Sequence, residues 1–284
     1  MIRKSSPSLG RPGARPDSRG GRPVSRKAQP TVGRPSASSK PSVRHGVARV
    51  LSKSGVCSRA EAARWVQAGR VAVDGRRVLD PEHPVIAGQS AVTVDGVPLG
   101  KQRHRYLMLN KPRGLVTTTT DEKGRDTVYR CFDGSGLPWM APVGRLDKAS
   151  EGLLLFTSDP AWAARITGHE GGVTKTYHVQ VDALVDGSRL AALAAGATLD
   201  GEQLKAVSVA LLRQGEKSTW LEIVLDEGRN RHIRRLLEAH GLGVLRLVRV
   251  AIGGLLLGSL AKGQWRELGP DEVQALAPPG TRQG

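Results

Sequence analysis

The sequence predicts an α+β protein: a small helix-and-hairpin unit, then a larger domain with a mixed, largely antiparallel sheet flanked by helices. Three observations predict it. Short runs alternate apolar and polar residues, as half-buried strands do. Asp-Gly dipeptides and other hairpin signals recur between them. Helical stretches interrupt the strands irregularly, instead of in the strand–helix repeat of a doubly wound fold.

Order begins late. Residues 1–44 hold eleven Lys/Arg against Asp17 alone, among Ser, Pro and Gly and with no apolar period. Such a segment cannot bury enough surface to offset its chain entropy, so a disordered basic tail is expected over 1–45. Over the whole chain, 43 Lys/Arg stand against 26 Asp/Glu, a net charge of +17, which favours polyanions and nucleic acid above all. No run reaches the length of a membrane span and the N-terminus lacks an apolar signal core, so the expectation is a cytoplasmic protein that meets no membrane. Cys57 and Cys131 are too few and too distant for a disulfide framework, and the seven His fall into no ligand spacing. No metal and no cofactor are expected.

Val47, Val50 and Leu51 repeat with helical spacing up to Gly55, a stop signal. Ser58 precedes Glu61 by three, the pattern of a capping box, and opens a helix through Trp65 and Val66 to Gly69. Val71 and Val73 alternate ahead of the Asp74-Gly75 turn, and "AVTVDG" ends on a second such turn at Asp95-Gly96. From Val47 to Arg77 seven Lys/Arg face only Glu61 and Asp74. This run, "VLSKSGVCSRAEAARWVQAGRVAVDG", resembles the S4 RNA-binding domain, placed here at 46–100. The resemblance implies that the two helices and the next turn offer a basic face to structured RNA, with Arg49, Lys53, Arg59, Arg64 and Arg70 as contacts.

From 102 to 268 the pattern becomes strands with interspersed helices, and 269–284 is expected as a C-terminal tail. "RYLMLNKP" reads as a strand closed by Pro112. "GLLLFTSD" is a continuous apolar run, consistent with a strand buried on both faces. "KTYHVQV" puts Tyr177, Val179 and Val181 on one face, and "TWLEIVLDEG" alternates through Leu221, Ile223 and Leu225. "NRHIRRLLEAHG" reads as a helix stopped by Gly241. At 100° per residue Ile233, Leu236, Leu237 and His240 share its apolar arc, while Arg231 and Arg235 lie nearly opposite, towards solvent or phosphate. Arg234 sits at the margin of the arc. It either snorkels outward or enters a neighbouring cleft, where it needs an anion.

The candidate anion is in "PVGRLDKASEGLLLFTSD". By residue type alone Asp147 is a turn residue that caps nearby N–H groups, and Glu151 is a surface charge. The surrounding motifs change that. "VGRLDKASEGLLLFTSD" resembles the catalytic motif of the bacterial ribosomal pseudouridine synthases of the RsuA type. "LMLNKPRGLVTTTTDEKGRDTV", "KTYHVQV" and "EGRNRHIRRLLEAHGLGVLRLVRVAIGGLLL" resemble three further motifs of that family, in order. The resemblance implies that Asp147 is the catalytic aspartate, that Tyr177 stacks on the target base, and that Arg234 pairs with the aspartate. It also implies that Arg145 helps to hold the loop and meets RNA. Ser150 stands where Thr is frequent and His232 where Gln is usual. The last motif is nearer the large-subunit (RluB-like) members, so the implied partner is large-subunit ribosomal RNA or a pre-ribosomal particle; a monomer is the default expectation for a protein that works on a large RNA. Two other readings stay open: a small-subunit ribosomal RNA enzyme, and a non-catalytic S4-type RNA-binding or ribosome-assembly protein. A methyltransferase or a zinc deaminase would need a Gly-rich cofactor loop or metal ligands, and neither pattern is present.

Overall fold

A computed structural model describes residues 44–86, 89–100, 103–119, 121–168 and 173–277. The expected basic tail lies outside these residues except for Arg44 and His45, which open a short strand, Arg44–Gly46, paired with Pro84–Ile86.

The small unit follows its sequence signals closely. Helix α1, Val47–Lys53, and helix α2, Arg59–Gln67, bury Val47, Val50, Leu51, Ala62 and Val66 in one cluster. The Ser58 hydroxyl caps α2 by accepting from Glu61 N at 3.0 Å. The return half of the expected capping box is missing, because the Glu61 carboxylate accepts from Trp65 Nε1 and pairs with Arg64. Asp74 and Gly75, like Asp95 and Gly96, all have positive φ, the signature of a two-residue hairpin turn that suits the strand twist. Those hairpins join Val71–Val73 to Arg76–Arg77 and Val92–Val94 to Val97–Pro98 in a four-stranded sheet.

The large sheet has nine strands: β1 Tyr106–Lys111, β2 Ala141–Val143, β3 Glu151–Thr157, β4 Lys175–Val181, β5 Ser208–Gln214, β6 Thr219–Leu225, β7 Val244–Ile252, β8 Leu255–Leu256 and β9 Trp265–Glu267. The main path runs β5-β6-β4-β7-β3-β1-β9, with β2 on β3 and β8 on β7. Every pairing is antiparallel except β7 with β3. All seven residues of β3 are buried, as a continuous apolar run at a sheet centre requires. At the parallel junction Gly152 has φ +101°, and a Cβ there would run into the Arg249 carbonyl. Only glycine lets the two backbones approach so closely.

On one side of the junction, helix α3, Pro160–Thr167, is capped by Asp159 and packs Trp162 and Ile166 against Leu153 and Leu155. On the other side, helix α4, Gly187–Ala195, and helix α5, His232–Ala239, cover the inner face of β4 and β6. The expected tail from 269 is corrected: it begins with helix α6, Pro270–Leu276. Pro270 suits a first helical position, Glu272 accepts from Gly269 N, and Leu276 and Ala277 are buried beside Trp162. No described helix is long and apolar enough to cross a membrane.

Candidate active site

The loop 144–150 leaves β2, turns at Gly144 with φ +75° and enters β3. Three anchors fix it. Leu146 is buried, and its carbonyl accepts from Thr117 Oγ1 at 2.8 Å. Gly114 N donates to the Lys148 carbonyl at 2.8 Å. The third anchor is Lys111, at the end of β1 and with no solvent exposure. Its ammonium donates to the carbonyls of Pro112 at 3.1 Å, Asp147 at 3.2 Å and Ser150 at 2.8 Å. Burial pushes its pKa down to about 8, opposed by the charges of Asp147 and Glu151 among others. The main chain of Asp147 is therefore gripped from beneath while its side chain, 35% exposed, faces a cleft.

Arg234 reaches the same cleft from α5. Its Nε lies 3.8 Å from Asp147 Oδ2, an ion pair that is too long for a hydrogen bond. Nη2 donates to the Ala149 carbonyl at 3.4 Å, and Nε is buried without a hydrogen-bond partner. Burial lowers the guanidinium pKa, and the charge of Asp147 works against that fall. Of its two possible courses, Arg234 takes the one into the cleft.

Tyr177 is half-buried on β4 and lines the cleft. It packs both on the cluster that contains Leu146 and on the one that contains Ile233. The ring thus closes the core and walls the cleft at once. The cleft holds about 340 Å³, at the lower end of the ~300–1,000 Å³ typical of small-molecule sites.

The remaining expected residues divide. Arg145 and Arg231 are exposed and line the cleft, and Arg231 starts α5 at φ +49°. Among the described residues Arg145 has no hydrogen bond or ion pair, and the polar anchors of the loop are Thr117, Gly114 and Lys111. Arg235 points away to Glu202, which also takes Arg229, so its expected freedom for phosphate is not what the structure gives. In the small unit all five basic candidates are exposed. Arg59 pairs with Glu82, Arg64 with Glu61, and Arg70 with Asp95 while stacking over Trp65 at 5.0 Å. Arg49 and Lys53 have no ion pair among the described residues.

Glu151 is no surface charge. It is 3% exposed, with Arg246 at 3.2 Å and Lys262 at 2.5 Å. His232 is buried with both ring nitrogens lacking a hydrogen bond, and burial lowers its pKa. Two residues of the cleft and its floor are absent from the sequence-based expectations. Lys111 had a signal, a lone cation that ends an otherwise apolar run. Arg249 had none beyond its place in a strand.

The family described as RNA pseudouridylate synthase matches residues 105–239, and the S4 domain matches 47–90. An uncharacterized RNA pseudouridine synthase of Aquifex aeolicus is 37% identical over 237 residues, 80% of this chain and 92% of that protein. The ribosomal large subunit pseudouridine synthase B of Haemophilus influenzae is 34% identical over 235 residues, 80% of this chain and 66% of that one. A crystal structure of a pseudouridylate synthase superposes with TM-score 0.57 at 29% identity, over 83% of this chain and all of the other.

Proposed function

The chain belongs to the RNA pseudouridine synthases, and from that premise we propose that the uridine it isomerises lies in large-subunit ribosomal RNA, with Asp147 at the reacting ribose. The reaction breaks the uridine N1–C1′ bond, turns the base and forms a C5–C1′ bond, with no net change of oxidation state. A carboxylate serves as nucleophile at C1′ or as base at the ribose. The observation that carries the assignment is the placement of Asp147 against Arg234 at 3.8 Å, in a cleft walled by Tyr177.

Each group then has a role that suits its surroundings. Lys111 holds the backbone of the loop, so that the carboxylate is aimed before substrate arrives. Arg234 supplies the countercharge from a largely buried position. A uridine inside folded RNA must be extruded to reach the cleft, and stacking on Tyr177 offsets that by about 1–3 kcal/mol. Exposed Arg145 and Arg231 meet the backbone of the incoming strand, and Arg49 and Lys53 of the small unit hold more distant phosphates. The large-subunit target is supported by the likeness to the Haemophilus influenzae protein and by the α5 motif. The enzyme acts as a monomer in the cytoplasm.

Pseudouridine mapping of both ribosomal RNAs, from cells with and without this chain, tests the target. Loss of one large-subunit site, restored by the wild-type chain, is expected. Loss of a small-subunit site instead would move the target. Intact sites throughout would favour the non-catalytic ribosome-assembly reading.

A further inference from the structure

The roles above leave one buried cation in the cleft without a task. Arg249 on β7 is 5% exposed and lines the cleft. Strand register sets it beside Tyr177 on β4 and Gly152 on β3, between the stacking ring and the strand that carries the Asp147 loop. Its Nε donates to the Leu153 carbonyl at 2.7 Å, which fixes the guanidinium. Its Nη2 is buried with no hydrogen-bond partner, and among the described residues no carboxylate forms an ion pair with it. Lys175 lines the same cleft, and its pKa is lowered by burial and then by the charge of Arg249, so two cations stand near one another there.

A buried donor left unpaired beside a second cation is costly unless negative charge arrives to meet it. The position selects which charge. Under the proposed function the exposed Arg145 and Arg231, which line the cleft, take the phosphates of the entering strand. A base stacked on Tyr177 brings the edge of its ring to the neighbour of Tyr177 in the sheet, and that neighbour is Arg249.

We propose that Arg249 is a further catalytic residue, whose guanidinium donates to a carbonyl oxygen of the detached uracil and stabilises it as an anion. This rests on the reading that Asp147 and Tyr177 flank the reacting uridine. When the N1–C1′ bond breaks, its electron pair stays with the uracil, spread over N1, O2 and O4 and reaching C5. The pair at C5 then forms the C5–C1′ bond. The proton that leaves C5 is matched by one gained at N1, so atoms and electrons balance. The donor is in place before charge appears, which is the condition under which such contacts accelerate a reaction most.

The test uses single-turnover reactions of the full chain on full-length large-subunit and small-subunit ribosomal RNA transcripts, made with uridine or with 5-fluorouridine. Fluorine stabilises the departing uracil anion, so the protein's help matters less. Loss of the parent nucleoside is followed by chromatography. Arg249→Gln is expected to lose about 10²–10³-fold in rate on uridine RNA, the usual effect of removing one preorganised donor. On fluorinated RNA the loss should shrink at least about tenfold with RNA affinity unchanged, and Arg249→Lys should recover about tenfold or more on uridine RNA.

Equal losses on both RNAs would reduce Arg249 to a brace between β3 and β7, and full activity of Arg249→Gln would remove it from the reaction. If Arg249→Gln has no cooperative thermal transition, Arg249→Lys carries the same comparison, because it keeps the charge but not the planar fork. Wild-type turnover on the small-subunit transcript alone would overturn the large-subunit target, and the Arg249 comparison would then be read on that transcript.

Discussion

The small N-terminal unit and the centre of the large sheet use cations in opposite ways. In the first, Arg49, Lys53, Arg59, Arg64 and Arg70 all stand in solvent, and three of them have partners on the same surface. Exposed pairs of that kind contribute only about 0–1 kcal/mol each, so the face can be rearranged with little effect on folding. In the second, Lys111, Arg249 and Glu151 are each at most 5% exposed, and the Arg234 side chain is 13% exposed. Buried charges contribute little net stability when paired, but breaking a pair is costly. Under the proposed function the contrast is a division of labour: grip on RNA would be spread over replaceable contacts, and chemistry concentrated in a few groups that the fold depends on.

The contrast can be sharpened by substitution. After loss of the aspartate itself, and on a par with the loss expected at Arg249, the largest effect is expected at Arg234. Arg234→Gln removes the countercharge from the cleft and should lower single-turnover rate by about 10²-fold or more, while RNA affinity falls little. A loss of affinity alone, with rate retained, would place Arg234 with the gripping residues. Next comes Glu151. Glu151→Gln removes the buried partner of two cations that themselves keep solvent contact, Arg246 at 40% and Lys262 at 60% exposure, and should destabilise the protein by only about 1 kcal/mol in denaturant unfolding. An unchanged midpoint would return Glu151 to the status of a surface charge.

Lys111 gives a pH test in which stability and activity move apart. Its pKa is about 8 in the fold, against 10.5 for a free lysine. Between those values the native state binds fewer protons than the unfolded one, so Lys111's own contribution to stability rises with pH across that window. The ammonium clamp on the Asp147 and Ser150 carbonyls is lost over the same window. Turnover should therefore decline above about pH 8 without a parallel fall in thermal midpoint. Joint loss of both would mean that another group controls the alkaline limb. The smallest effect is expected in the small unit. Arg49→Ala or Lys53→Ala should weaken binding to every RNA tested and flatten the slope of log affinity against log salt by roughly 0.7–0.9 for each phosphate no longer neutralised. A steep fall in affinity for one RNA alone would make the interaction specific.

Much of this was legible in the sequence because period and turn chemistry are local. The β3 run, the Asp-Gly hairpins, the Ser58 cap and the α5 arc each appear where their spacing puts them. Motif order then pointed to Asp147, Tyr177 and Arg234, and the fold brings these three to one cleft. What stayed hidden depends on distant partners. Glu151 looks like a surface acid until β7 brings Arg246 beside it, and the segment after β8 brings Lys262. Arg235 looks free until Glu202 arrives from a hairpin more than 30 residues away. Helix α6 was missed because it is short, although Pro270 followed by two acids is a start signal, and only the buried Leu276 shows why it forms. Arg249 has no local mark at all; its meaning comes from register with Tyr177 and from the glycine that lets β3 approach it.

The central claim is that Asp147 performs the chemistry and does not merely cap a turn. The direct measurement is single-turnover pseudouridine formation by Asp147→Asn on ribosomal RNA, with RNA affinity measured on the same sample. Asparagine keeps the shape and can cap a turn as well as aspartate does. Abolished turnover with wild-type affinity is the predicted result. Turnover within a fewfold of wild type would contradict the account and make Asp147 a structural residue of its loop.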